Sequence, residues 1–234
     1  MTLLTVIANV CRRVGEPVPN VVYTATDPTV TQLLSLANEE GTELMKMGDW
    51  RALRKEKTFT TLAQETQTAM VPTDLGYWID MTAWNRSARR PLYGPVSSET
   101  WQAWKALSTF PFLDVIYFRG ADILAGPPPP AGQTWAFEYI SNLWCQSSGG
   151  TGQSEWLADT DTGVLSERLM TLGILWRYKQ ARGLAFDDDY QLYELQVREA
   201  LSQDSPRSTH SFGEPDTRGR MRPGIVVPLL SWDV

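Results

Sequence analysis

An α+β fold is expected from three observations. Apolar residues recur at three- and four-residue steps near both ends of the chain, the middle turns to strand-type residues, and the end loses all periodicity. The architecture implied is a helical bundle made of an N-terminal and a C-terminal helix pair, with an inserted β-rich block and an extended C-terminal arm. By residue, 1–54 and 155–203 make the bundle, 55–146 the insertion, 147–154 a flexible loop and 204–234 the arm.

The elements follow in order. Leu3, Leu4, Ile7, Val10, Cys11 and Val14 share one face of a helix that Gly15 stops. Asp27-Pro28 supplies an N-cap and a proline at the first helical position, opening a second helix. Its apolar face carries Val30, Leu33, Leu34, Ala37, Gly41, Leu44 and Met45. Gly41 costs about 1 kcal/mol there relative to alanine; the expected reason is close approach of another helix.

From Lys55 to Cys145, Thr, Val, Tyr, Phe and Trp increase and prolines punctuate. Val115–Phe118 and Thr134–Ile140 predict strands, and Arg119–Asp122 a turn between two short ones. Ser97 or Ser98 opens a short helix that runs to Leu107. Pro127–Pro130 predicts a stiff connection before the strand at Thr134. Helices return with Leu165, Leu169, Leu172 and Trp176, stopped at Gly183. Asp187–Asp189 opens the last helix, bearing Tyr190, Leu192, Tyr193, Leu195 and Val197.

At 234 residues and 42% hydrophobic composition the chain can bury a true core, on the order of 70% of its unfolded surface. A net charge of −6 argues against electrostatic binding of nucleic acid, which wants a basic face. Cys11 and Cys145 form no disulfide framework. The first residues place their positive charges after a short apolar run, the wrong order for a signal peptide. No apolar stretch nears the ~20 residues that span a bilayer. A soluble chain made in a reducing cytosol is the expectation.

Candidate chemistry is thin. Asp187, Asp188 and Asp189 suit a hard cation, but the positive end of a helix dipole accounts for them better. Asp159, Asp161 and Gly163 resemble the start of a calcium loop without its third acid or its closing glutamate. His210, the sole histidine, lies in the arm, where no rigid triad can form around it. Gly149, Gly150 and Gly152 lack the lysine of a phosphate loop. Glu99 with Glu138, or Asp74 with Asp80, offers the two carboxylates of a glycosidase. Six of the ten tryptophans (Trp78, Trp84, Trp101, Trp104, Trp135 and Trp144) fall in or around the β block. An aromatic core with subunit interfaces is the expected reading, and a sugar-stacking surface the alternative. No catalytic residue, metal or cofactor is assigned.

The arm holds four prolines and four arginines, then ends on Ile225, Val226, Val227, Leu229, Leu230 and Trp232. Its composition cannot offset the entropy of ordering, whereas its tip is poorly suited to water. Such an arm predicts a tether, with those six residues docking on another surface.

Several segments in combination resemble the head-to-tail adaptor, or connector, proteins of tailed bacteriophages. The likeness is especially to the tail-tubular, gatekeeper type found beneath the portal of short-tailed phages. The segments are Asp27–Asn38 (DPTVTQLLSLAN), Gly48–Arg51 (GDWR), Trp84–Pro95 (WNRSARRPLYGP), Tyr117–Pro128 (YFRGADILAGPP), the aromatic strand Trp135–Tyr139 and Leu172–Gly183 (LGILWRYKQARG). The resemblance covers roughly residues 1 to 203. It implies a structural virion protein, not an enzyme, assembled as a usually twelvefold ring at the head–tail junction. The implied partners are further copies of itself, the portal protein, a downstream nozzle or tail-tube protein, and phage DNA passing through without sequence-specific binding. No membrane is implied, and assembly is expected in the host cytoplasm. A tail-associated cell-envelope glycosidase or sugar-binding module is the alternative.

Overall fold

The structure is a computed structural model that describes residues 2–107 and 114–204. The expected docking residues Ile225, Val226, Val227, Leu229, Leu230 and Trp232 lie outside those residues, as does His210. The fold is mixed α+β.

Helix α1 (Leu3–Val14) opens with a capping box in which the Thr2 and Thr5 side chains each bond the other's backbone. It closes at Gly15, whose φ of 79° is the left-handed cap that glycine supplies without strain. Helix α2 (Pro28–Lys46) starts as expected, the Asp27 carboxylate accepting from the amides of Thr29 and Val30. After a 3₁₀ turn at Arg51–Leu53 the chain enters β1 (Arg54–Thr60). Short strands follow: β2 (Thr66–Gln67), β3 (Leu75–Trp78), β4 (Trp84–Asn85) and β5 (Arg90–Pro91). Then come α3 (Ser98–Leu107), β6 (Val115–Arg119), β7 (Asp122–Gly126) and β8 (Thr134–Ser141). The chain returns through β9 (Cys145–Gln146), β10 (Gly152–Gln153) and β11 (Thr162–Gly163) to α4 (Glu167–Ala181) and α5 (Asp187–Asp204).

Strand β8 organises the middle of the molecule. It pairs antiparallel with β1 from Arg54↔Ile140 to Thr60↔Thr134, and also with β3 and β4. Trp135 and Phe137 on one face meet Phe59 edge-on and fill an aromatic core. At its far end Ile140 packs instead into the core that the helices share with Trp144 and Trp156. Trp101, Trp135, Trp144 and Trp156 are all fully buried, as an aromatic core requires. A second sheet of order β2-β7-β6 contains the expected turn, closed by Gly120 at φ 62°.

Helix α4 is the central rod. It packs against α1, α2 and α5, and its buried residues run without a gap from Leu169 to Leu175. Asn9–Glu167 and Glu16–Tyr178 hydrogen bonds advance together, so α1 and α4 run the same way. Helices α2 and α5 run opposite to α4: Arg182 reaches Thr29, Arg177 reaches Glu40, and Trp176 rests on Tyr190.

Two expectations change. Gly41 is tight because of a side chain rather than a helix: a Cβ there would meet the Trp144 ring at 2.5 Å. The stretch 147–154, expected as a flexible loop, is a hairpin in which Ser147 N donates to Thr151 O and Gly152–Gln153 pairs with β9. On α5 only Tyr193 and Val197 are buried, while Leu192 and Leu195 are exposed. α5 packs on α4 and, through Tyr193, on α2, so among the described residues a leucine on the far side stays exposed.

Candidate functional site

Among the described residues, a buried charge cluster and an open groove are candidate sites. The cluster sits where α2, α4 and α5 meet. Arg177 of α4 is 5% exposed, and its guanidinium reaches the carboxylates of Glu39, Glu40 and Glu43 on α2. Glu40 is fully buried and also accepts from the Tyr193 hydroxyl of α5 at 2.8 Å. Burial pushes the Glu40 carboxyl up to about 8, against the pull of Arg177. The same surroundings, burial first and then the Glu40 charge, raise Tyr193 well above its ordinary value. Gly173 leaves the space in which the Glu40 carboxylate lies, so any side chain there would collide with it. One cation among three carboxylates joins three helices, and the cluster is a structural joint. Sequence reading missed it. The available signal was an arginine inside the otherwise apolar run of α4, and adjacent glutamates on α2.

The groove lies on the β1–β8–β4 sheet. It has a volume of about 820 Å³ and is lined by Glu56, Asp80, Trp84, Arg86, Arg89 and Glu138, among others. Glu56 and Glu138 are direct cross-strand partners. Each carboxylate has a cation beside it: Arg86 lies 2.5 Å from Glu56 and Arg54 3.8 Å from Glu138. The hydrogen bonds from Arg86 and Thr58 hold Glu56 below the usual carboxylate range. That is the opposite of what a glycosidase proton donor needs.

The sequence-proposed carboxylate pairs do not converge on this groove. Glu138 and Asp80 line it, but Glu99 stands in the first turn of α3. Asp74 is engaged by Lys55, Tyr139 and Ser141 at 2.7–2.9 Å. Burial would raise Asp74, but those three donors outweigh it and hold the carboxyl low. The calcium-like aspartates are spent on backbone. Asp159 accepts from the amides of Val22 and Tyr23, and Asp161 from those of Leu157 and Ala158. Asp189 pairs with Lys179, leaving Asp187 and Asp188 exposed at the start of α5. Both cysteines are buried free thiols, and burial pushes Cys145 up to about 12.

Against known families, residues 1–222 match the SU10 adaptor protein family. The chain belongs to this family. The match takes in the whole described fold and runs on into the arm, ending short of Ile225. A search of curated proteins finds no match. An SU10 adaptor is a structural component of a phage particle, which agrees with the resemblance to head–tail adaptors and implies a scaffold role rather than an enzymatic one. Its partners are other head and tail proteins. Among the described residues no helix is long and apolar enough to cross a membrane.

Proposed function

We propose that this SU10 adaptor assembles as a ring between portal and tail and lines the channel through which DNA leaves the head. The family match over residues 1–222 carries the reading. In it, helices α1, α2, α4 and α5 form the bundle (residues 1–54 and 155–203) that packs ring-wise. The β-rich part, residues 55–146, faces the tail component below, and the arm from residue 204 reaches the portal or the next subunit.

The charge of the chain supports the channel role. At −6 net, the subunits present like charge to phosphate, so DNA slides without sticking. A ring of about twelve copies fits the family to which the resemblance points. Within the arm, Ile225, Val226, Val227, Leu229, Leu230 and Trp232 are the anchor, because apolar and tryptophan side chains dominate interface energy.

Deleting residues 205–234 should leave a folded protein that no longer joins portal rings in co-sedimentation. Truncated protein that still sediments with portal at full stoichiometry would disprove the docking role. Electron microscopy of the intact chain mixed with portal tests the ring itself. Absence of any annular density on portal would rule it out.

A further inference from the structure

The outer face of α5 carries two features that no contact within the described fold explains. Leu195 is 60% exposed and Leu192 41%, and they lie one turn apart on the side away from α4. The same helix bears six acidic residues against one arginine. Asp188 and Glu199 flank the leucines on the exposed side, and Glu194 is half-buried beside Arg198. An apolar pair within an acidic surround is the complement of an apolar segment preceded by cations.

The chain contains such a segment. Arg218, Arg220 and Arg222 directly precede Ile225–Trp232. Its root is also in the right place. The arm begins at Asp204, the last residue of α5, and the Asp204 carboxylate is fixed by the backbone amide of Arg51 at 2.5 Å. Leu195 stands about 14 Å back along the helix from that point, at 1.5 Å per residue. The stretch 205–222 can extend to about 60 Å, ample for a return along α5.

We propose that in the free subunit the arm folds back onto α5 of its own chain, with Ile225–Trp232 covering Leu192 and Leu195 and the three arginines facing the helix's acidic residues. A tether of this length holds the tip at an effective concentration on the order of 1 mM. A contact whose intrinsic Kd is only ~0.1 mM is therefore mostly made. The fold-back hides the tip until a stronger site competes for it, and it does not depend on the subunit forming a ring.

The test is a cysteine pair in the full-length chain. Cys11 and Cys145 are buried, so installed thiols react in their place. Leu192→Cys combined with Val227→Cys, treated with diamide at low micromolar protein, should form an intrachain disulfide, seen as a faster-migrating monomer on non-reducing gels. The rate should exceed by about tenfold that of the control pair Ser35→Cys with Val227→Cys, since Ser35 is an exposed position on α2. Adding Leu195→Asp, or Arg218, Arg220 and Arg222→Glu together, should bring the rate down to the control, as should raising the salt. Equal rates for the two pairs overturn the proposal. Cross-linked dimers without the fast monomer overturn it too, because the occupant would then be a second copy.

Discussion

Helices α4 and α5 are neighbours in sequence, antiparallel in space and of similar length, yet they meet opposite fates. α4 touches three other helices and is buried all round, enclosing even Arg177. α5 leans on α4 and, through Tyr193, on α2, and the described fold leaves Leu192 and Leu195 uncovered. Both sequences repeat apolar residues at helical spacing. What differs is the number of elements packed around each, so spacing finds the helix and packing decides which of its residues are inside.

The strongest way to break this comparison is to remove the charge that α4 buries. Arg177→Met should lower the urea-unfolding free energy by about 3–5 kcal/mol at about pH 10, above the Glu40 titration, because the buried carboxylate then loses its cation. The loss should shrink at pH 5.5, where a proton can neutralise Glu40 in its place. An equal loss at both pH values would mean that Glu40 is not the group left stranded.

A pH series on Glu40→Gln sharpens the point. Burial raises the Glu40 carboxyl from 4.5 to about 8 in the folded protein. The folded state therefore holds that proton more tightly than the unfolded chain does. The stabilisation is complete below pH 4.5 and is lost as pH rises through about 8. Relative to Glu40→Gln, which carries no such proton, the natural protein should lose on the order of a few kcal/mol between pH 5 and 9. Parallel stability curves for the two proteins would refute the linkage.

The smallest effect belongs to α5. Leu195→Ser in a chain ending at Asp204 should change stability by no more than about 0.5 kcal/mol, as an exposed position does. A loss above 2 kcal/mol by thermal melting would put α5 inside the core in solution and erase the contrast.

Much of the fold was legible because its signals are local. The Gly15 stop, the Asp27-Pro28 cap, the turn at 119–122 and the span of α3 each depend on a few adjacent residues, and each stands where the sequence puts it. What stayed hidden depends on partners far along the chain. Gly41 answers to Trp144, and Glu40 is paired by an arginine 137 positions away. The aspartates 159 and 161 looked like cation ligands but are turn-makers, because backbone amides compete for the same oxygens. The exposure of Leu195 was illegible for the same reason: nothing in α5 itself states on how many sides the helix will be covered.

The grip of Asp204 on the Arg51 amide also has a mechanical side. Arg51 leads within three residues into β1, which is zipped to β8 along its whole length. Tension applied to the arm thus enters the molecule at two anchorages, the end of α5 and the root of β1. Peeling α5 alone cannot relieve the pull until that clasp opens, and beyond it the load falls lengthwise on paired strands. If the arm holds the subunit in the particle as proposed, a root that divides its load keeps that joint closed under strain.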